Sequence, residues 1–320
     1  MGENDMRDLN EFPRVRLGVL PTRIRRMEQI SRALGVNVYI KRDDLTGIGL
    51  GGNKVRKLEF LLADARARGA KVVFTTGGAQ SNHAMLTAAC ANKLGMKPIL
   101  LLKQRGVTAC KGNRFLESLM DTEVHLIDTD DYGEIYAEMD RMGQALGVPY
   151  YKIPCGGSNA LGCLGYFACA EEISQVGITF DHIICATGSG GTHAGLALGA
   201  KILLPRSKVT GMAVDSDPFD EIVPRLMRQT AELLESDIPI ASEDVHLRNM
   251  CGPGYAIPSE EGNAAVRLVA QKEGIFLDPV YTGKAFAGLI EMVREGAFAS
   301  GEKILFVHTG GAGGLFAQEA

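Results

Sequence analysis

The sequence contains no apolar run that approaches the roughly 18 residues of a transmembrane helix. Residues 1–8 are mostly polar, with an excess of acidic side chains, so we expect no signal peptide. The chain also lacks a long run of charges of one sign, and its net charge is only -4. These absences argue against nucleic acid or a membrane as the main partner and indicate a soluble cytoplasmic protein.

No Cys-X-X-Cys motif is present, although the chain has seven cysteines. This odd number and the absence of paired spacings give no sign of a disulfide framework. Cys90 and Cys185 lie among apolar residues, where free thiols behave as small hydrophobic side chains. We therefore expect a reducing compartment and predict no metal site.

The chain is long enough for more than one hydrophobic core. Its 320 residues exceed the size at which a single core usually stops growing, so we expect two subdomains. Short apolar segments, for example 72–75, 98–102 and 182–186, alternate with longer segments typical of helices. This alternation predicts an α/β fold in which parallel sheets are covered by helices on both faces.

A glycine-rich loop, residues 47–52, leads to Asn53 and Lys54 at what we predict is the first turn of a helix. The helix N-terminus carries partial positive charge, so we expect a lowered pKa for an amine there. A partly deprotonated lysine can form a Schiff base with an aldehyde. Lys57 lies three residues later and shares a helix face with Lys54. Taken alone, the segment fits an ordinary surface helix better, because helical lysines are mostly solvated.

A second glycine-rich loop, residues 187–192, lies between a predicted strand and a predicted helix. Exposed loop amides and a helix N-terminus together form an anion site suited to phosphate. A dinucleotide-binding loop is the alternative. The Gly-X-Gly-X-X-Gly pattern fails at His193, but Asp215 follows the next strand, where a ribose-binding acid could lie.

The segment 77–83 forms a third strand-to-helix junction, the place where open α/β sheets bind ligands. We expect Gly77 and Gly78 to break the strand that covers residues 72–75, and Ser81 to cap the next helix. Ser81 and Asn82 can present a hydroxyl and an amide to a carboxylate or a phenolic oxygen. A simple helix cap is an equally good interpretation, and His83 fits a packed or capping residue better than a catalytic one.

Tyr281 follows Pro279 and Val280 and precedes a predicted helix, so its ring is held in a defined place. A tyrosine hydroxyl at such a position can act as a general acid, and Tyr255 upstream offers a second one. The alternative for either residue is a packed aromatic side chain.

Together these segments resemble the D-cysteine desulfhydrase and 1-aminocyclopropane-1-carboxylate (ACC) deaminase family of pyridoxal 5′-phosphate (PLP) enzymes. The resemblance implies the tryptophan-synthase-β-like fold of type II, with two open, twisted, mostly parallel sheets. It also implies a larger PLP-binding domain (1–55 and 158–320), a smaller mobile α/β domain (56–157) and a homodimer. The segments that carry the resemblance are residues 41–46, 51–60, 80–83, 187–192, 278–285 and 308–312.

The resemblance assigns roles to individual residues. Lys54 would bind PLP covalently, Asn82 would donate to the ring phenolic oxygen, and Ser81 would meet the substrate carboxylate or assist proton transfer. Tyr281 and Tyr255 would lie over the substrate as general acids. The other implied cofactor contacts are Asn53, Lys57, Thr187, Gly188, Ser189, Gly190, Gly191, Thr192, Thr282 and Thr309, and the other implied substrate contacts are Asn82, His83 and Gln80.

Two threonines place the chain within the family. ACC deaminases have Glu and Leu at the positions of Thr282 and Thr309. The two threonines of this chain instead resemble the D-cysteine desulfhydrases. A hydroxyl does not keep the pyridine nitrogen protonated as a carboxylate does, and a weaker electron sink suffices when a thiolate leaves. We therefore predict that an amino-acid substrate, D-cysteine, is converted to pyruvate, hydrogen sulfide and ammonia.

Other activities stay open at this point. The segment 105–111 is shorter than in the desulfhydrases, which leaves L-cysteate sulfo-lyase and ACC deaminase as alternatives. A dinucleotide-binding oxidoreductase and a PLP-binding protein without turnover represent other classes of function. The oxidoreductase predicts no visible chromophore, whereas the binding protein predicts bound PLP without amino-acid turnover.

Overall fold

Strands and helices alternate along residues 6–317, the part of the chain that the computed structural model describes. The predicted alternation is confirmed, with ten strands and eleven α-helices in that range. The strands are β1 (Ile24–Arg26), β2 (Asn37–Lys41), β3 (Val72–Gly78), β4 (Lys97–Lys103), β5 (Glu123–Ile127), β6 (Tyr150–Lys152), β7 (His182–Thr187), β8 (Lys208–Ala213), β9 (His246–Asn249) and β10 (Lys303–Val307).

The helices begin mostly at the loops that the sequence marks with glycine or a capping side chain. The helices are α1 (Glu28–Leu34), α2 (Lys54–Ala67), α3 (Asn82–Lys93), α4 (Gly112–Leu119), α5 (Tyr132–Leu146), α6 (Ala160–Ser174), α7 (Gly191–Leu203), α8 (Phe219–Leu233), α9 (Glu260–Glu273), α10 (Thr282–Arg294) and α11 (Ala312–Leu315). No helix among the described residues is long and apolar enough to cross a membrane.

Six strands form one sheet in the order β1-β2-β10-β7-β8-β9. Only β1 runs antiparallel to its neighbour, and the other pairs are parallel. Side chains alternate between the two faces, so Ile183 and Leu305 join one buried cluster while Ile184 and Phe306 join another. The sheet is therefore buried on both faces, which is why its central strands are continuous apolar runs.

The other four strands form a smaller, entirely parallel sheet in the order β5-β4-β3-β6. Here too the faces differ, because Val73 packs with α2 and α3 whereas Phe74 packs with α5. All four strands lie between residues 72 and 152, and every strand of the larger sheet lies outside that range. The domain boundaries near residues 56 and 157 stay a prediction.

The structure corrects the expectation that Gly77 and Gly78 break β3 after residues 72–75. The strand runs on to Gly78, and both glycines pair with the end of β4. A Cβ atom on Gly77 would lie 2.4 Å from Ser81 Oγ. These glycines therefore let the cap of α3 lie against the end of a strand, rather than breaking the strand.

The carboxyl ends of both sheets face one cleft. The last residue of β3, Gly78, lines the wall of a single cavity, and the loops that follow β4, β7 and β10 contribute Arg105, Ser189 and Thr309 to the same wall. This is the position at which parallel α/β sheets bind their ligands. The fold thus brings three separate strand-to-helix junctions to one place.

Candidate active site

Lys54 is the first residue of α2 and lines the cavity between the two sheets. The helix start is as predicted, and the surface-lysine interpretation is wrong because the next residues, Val55 and Arg56, are fully buried. Burial lowers the pKa of Lys54 from 10.5 to about 8. This direction agrees with the expectation, and burial is its largest cause.

The glycine-rich loop after β7 lies across the cavity, where Gly188, Ser189, Gly190 and Thr192 form part of the wall. Helix α7 begins at Gly191, so its first amides have no partner within the helix. Gly190 has a φ of 82°, which a side chain would strain. The loop is therefore a backbone cradle of the kind that holds a phosphate.

Close packing explains the small residues of this loop. A Cβ atom on Gly191 would lie 2.6 Å from Ser158 Oγ and 2.8 Å from Lys57 Nζ. Asn53 Nδ2 donates to Thr192 Oγ1 at 2.9 Å and ties the start of α2 to the start of α7. Gly191 itself does not line the cavity, so its role is to let Lys57 approach the loop from behind.

Lys57 is fully buried beneath the loop and does not reach the cavity wall. Its Nζ donates to Gly156 O at 3.0 Å and to Ser158 Oγ at 3.2 Å. Burial, together with the charge of Lys54, lowers the pKa of Lys57 well below 10.5. A phosphate group in the loop would provide the anion that this buried amine lacks.

The N-terminus of α3 presents polar groups to the same cavity. Ser81 caps the helix as predicted, because its Oγ accepts from Ala84 N at 3.2 Å. Asn82 and His83 also line the cavity. His83 is buried, its Nε2 lies 2.8 Å from Thr75 Oγ1, and burial lowers its pKa well below 6.5. His83 is therefore a neutral, packed residue, in line with the sequence interpretation.

Gln80 does not line this cavity, although the resemblance implied a substrate contact. Its Nε2 donates to Val107 O at 2.9 Å and to Lys111 O at 3.1 Å, and its Oε1 accepts from Asn113 N. Both the NH₂ group and the oxygen of the Gln80 side chain are therefore hydrogen-bonded to the segment 107–113. This placement corrects the expectation for Gln80.

Tyr255 and Tyr281 line the cavity, and their hydroxyl oxygens lie 2.6 Å apart. Burial raises the pKa of both phenols above 10, and the neighbouring phenol raises that of Tyr281 further. Both hydroxyls therefore keep their protons at neutral pH. Asp278 fixes the backbone of Tyr281, because its Oδ2 accepts from Val280 N at 2.9 Å and from Tyr281 N at 2.8 Å.

The structure separates the two threonines that could face the pyridine nitrogen. Thr309 lines the cavity, whereas Thr282 is fully buried outside its wall. Thr282 Oγ1 donates to Asp278 Oδ1 at 2.7 Å and accepts from Asp278 N at 2.8 Å, so this hydroxyl is already engaged. Thr187 is also outside the wall, with its Oγ1 3.4 Å from His193 Nδ1. Thr309 is the better placed ring contact.

Among the lining residues that the sequence did not assign to a PLP site, five have a charged, phenol or thiol side chain. Lys103 is the last residue of β4, and Arg105 lies two residues later. Both bind Asp130: Lys103 Nζ donates to its carbonyl oxygen at 2.6 Å, and Arg105 pairs with its carboxylate at 2.6 Å. Their only signal in the sequence was their place at the end of a strand. The five residues are Lys103, Arg105, Tyr132, Cys155 and Asp215.

Comparison with known proteins identifies the family. Residues 15–310 match a family model described as pyridoxal-phosphate dependent enzyme. The chain belongs to this family. A D-cysteine desulfhydrase from Klebsiella pneumoniae subsp. pneumoniae is 43% identical over 98% of both chains.

Solved structures agree with this assignment. A crystal structure of an ACC deaminase homologue has a TM-score of 0.90 and 43% identity, and the match covers 96% of this chain and 94% of that one. The processed form of threonine deaminase isoform 2 from Solanum lycopersicum has a TM-score of 0.65 at 19% identity, with 91% of this chain and 79% of that chain covered. The latter likeness concerns the fold alone.

These findings confirm the predicted family, the α/β fold with two mostly parallel sheets, PLP as cofactor, and a PLP-dependent lyase related to D-cysteine desulfhydrase. They leave no support for the dinucleotide-binding oxidoreductase. Asp215, which that alternative used, lines the same cavity as Lys54. Among residues 6–317 no group of three or more His, Cys, Asp or Glu side chains is placed to hold a metal ion.

Proposed function

We propose that this chain eliminates the β-substituent of a β-substituted alanine, with D-cysteine as its main substrate. D-cysteine and water would give pyruvate, hydrogen sulfide and ammonia. One observation carries the proposal: Lys54, an amine with a lowered pKa, and the protonated pair Tyr255 and Tyr281 line one cavity. An acceptor and a donor of protons in one site are what β-elimination requires.

The residues of the cavity fit PLP. The backbone cradle at 188–192 suits its phosphate, Lys54 suits its aldehyde, and Asn82 and Thr309 can reach polar atoms of the ring. Gly191 leaves space behind the loop for Lys57, so a buried amine lies directly behind this cradle. When bound, PLP withdraws electrons from the α-carbon of the amino acid attached to it.

The protein's own side chains then move the protons. At neutral pH a fraction of Lys54 is uncharged, because its pKa is about 8, and this amine can accept the α-proton. Tyr281, whose raised pKa keeps its hydroxyl protonated, can donate to the leaving sulfur. Ser81 and the free amides at the start of α3 can hold the substrate carboxylate.

The environment of the pyridine nitrogen favours a substrate with a good leaving group. Of the two threonines that could face this nitrogen, Thr309 lies on the cavity wall, and Asp278, a nearby carboxylate, is saturated by amides and by Thr282. A hydroxyl partner supports a weaker electron sink than a carboxylate does. Loss of a thiolate tolerates that weaker sink better than opening of an unactivated cyclopropane.

L-cysteate is the second candidate substrate, and two side chains favour it. Lys103 and Arg105 add positive charge to the cavity wall. A sulfonate is a permanent anion that could replace Asp130 as their partner. Arg105 also begins the segment 105–111, which the family resemblance implies is shorter than in the desulfhydrases.

We also propose a homodimer in a reducing, cytoplasmic compartment, with the smaller domain (56–157) closing over the site. The support for the homodimer and for closure is the family resemblance. The support for the compartment is that all seven cysteines are free thiols in the described part of the chain.

A substrate panel tests the proposal. The PLP-loaded protein is incubated with D-cysteine, L-cysteine, L-cysteate, D-serine and ACC, and 2-oxo-acid release is measured. We expect the highest kcat/KM with D-cysteine and sulfide in equal amount to pyruvate. A preference for L-cysteate with sulfite release would replace the first candidate by the second. PLP binding without release from any of the five would instead indicate a binding protein.

A further inference from the structure

Asn113, the second residue of α4, lies fully buried behind Asn82 and has no contact with the cavity. Its Nδ2 donates to two oxygens, Gln80 O at 2.9 Å and Asn82 Oδ1 at 2.7 Å. Its backbone N–H donates to Gln80 Oε1 at 2.9 Å. Asn113 therefore holds Gln80, which lies just before the cap of α3, and Asn82, which is the first residue of α3.

These contacts leave only one orientation for each amide. Gln80 O is a backbone carbonyl and can only accept, so the end of Asn113 that faces it must be the NH₂ group. That NH₂ group also faces Asn82, so the end of Asn82 behind the cavity wall must be its oxygen. The NH₂ group of Asn82 is then the end that faces the cavity.

We propose that Asn113 is a positioning residue that makes Asn82 a hydrogen-bond donor toward the phenolic oxygen of PLP. The inference rests on the proposed function in that PLP occupies the cavity beside Asn82. An anionic oxygen requires a donor, and a carboxamide that could rotate would present its own oxygen half of the time. Asn113 removes that freedom. It lies on α4, which connects two strands of the smaller sheet, β4 and β5.

A glycine in α11 provides a way to disturb Asn113 without replacing it. A Cβ atom on Gly313 would lie 1.9 Å from Asn113 Oδ1 and 2.8 Å from its Cγ. The next residue, Gly314, is also buried, but a Cβ atom there would meet no atom within 4 Å. Gly313→Ala must therefore shift the Asn113 carboxamide, whereas Gly314→Ala is a matched control in the same helical turn.

The experiment is a PLP titration of the apoprotein, read by affinity and by the position of the visible absorption band, and it needs no substrate. We expect Asn113→Asp and Gly313→Ala each to weaken PLP binding about tenfold and to shift the band, because a hydrogen bond to a charged oxygen is lost. Gly314→Ala should match the wild type. Asn113→Asp combined with Asn82→Ala should bind PLP no more weakly than Asn82→Ala alone.

Wild-type affinity and an unshifted band in both Asn113→Asp and Gly313→Ala would overturn the inference. Additive losses in the double variant would also overturn it, since they would show that Asn113 does not act through Asn82. If Asn113→Asp does not fold, the comparison of Gly313→Ala with Gly314→Ala still decides the question. Because binding is measured without turnover, a failure of the proposed elimination would leave this result intact.

Discussion

The hydroxyl oxygens of Tyr255 and Tyr281 lie 2.6 Å apart at the wall of the cavity that contains Lys54. Two phenols at this distance share one hydrogen bond, so one of the two protons is directed elsewhere. Asp278 fixes the backbone of Tyr281 through two amides, whereas Tyr255 lies in the irregular segment before α9. Tyr281 is therefore the better fixed donor, and Tyr255 orients it.

Removal of the Tyr281 hydroxyl tests this assignment. Tyr281→Phe should lower kcat about 10²- to 10⁴-fold, the usual range for a general acid. Tyr255→Phe should lower it less, and PLP binding should persist in both variants. Tyr150→Phe is the control, because its hydroxyl bonds to Asp140 outside the cavity. Equal, small losses in all three variants would remove Tyr281 from the mechanism.

The pKa of Lys54 sets how the apoprotein captures PLP at different pH values. Only the neutral amine reacts, so the capture rate should rise about tenfold per pH unit below the pKa and level off above a pH of about 8. Stopped-flow absorbance between pH 6 and 10 measures this rate. A rate that keeps rising to pH 10 would show an amine with its ordinary pKa.

The same pKa predicts a change in stability. Folding lowers the pKa of Lys54 from 10.5 to about 8, so the unfolded chain binds more protons between these values. The free energy of unfolding of the apoprotein should therefore gain from this group as pH rises through that window. Urea unfolding of the wild type and of Lys54→Met isolates the effect. A difference between the two proteins that does not change with pH would contradict it.

Lys57 should act through the phosphate of PLP. Its buried amine lies behind the cradle, so Lys57→Met should weaken PLP binding by at least about tenfold, the range for a hydrogen bond to a charged group. Pyridoxal, which lacks the phosphate, should be bound equally well by variant and wild type. Lys93→Met, at the exposed end of α3, is the control. An equal loss for both ligands would mean that Lys57 only supports the fold.

Arg56, two residues after Lys54, should anchor the start of α2. Its guanidinium is fully buried and donates to Asp43 at 2.7 Å and to Glu172 at 2.8 Å. Arg56→Met leaves the buried carboxylate of Asp43 unpaired, which should cost about 3–5 kcal/mol of unfolding free energy. Arg68→Met, which breaks the exposed pair with Asp64, should change it little. Urea unfolding of the apoproteins compares the two, and similar small effects would contradict the anchoring role.

The inner parts of the fold could be predicted from sequence because their pattern is local. Strands such as β7 are apolar runs between loops, and glycine or a capping side chain marks the helix ends. The strands β1 and β9 gave no such signal, since they are short, polar edge strands without a fully buried residue. Their strand conformation depends on pairing with β2 and β8, which lie elsewhere in the chain.

In the candidate site, too, local features could be predicted from the sequence, whereas features that depend on distant residues could not. Backbone features such as the phosphate cradle and the cap at Ser81 follow from local sequence, and the structure brings them together. The direction of a side chain depends on partners far along the chain. Gln80 turns toward the segment 107–113, and Asn113 turns toward Asn82, so neither orientation could be read from the neighbouring residues.

The most direct test of the central claim is pyruvate release from D-cysteine by the PLP-loaded wild type and by Lys54→Ala. We predict that the wild type releases pyruvate and sulfide in equal amounts. Lys54→Ala should bind PLP without covalent attachment and release neither product above background. The only other lysine on the cavity wall among the described residues is Lys103, and its amine is already engaged by Asp130 O. Release by Lys54→Ala at the wild-type rate would contradict the account.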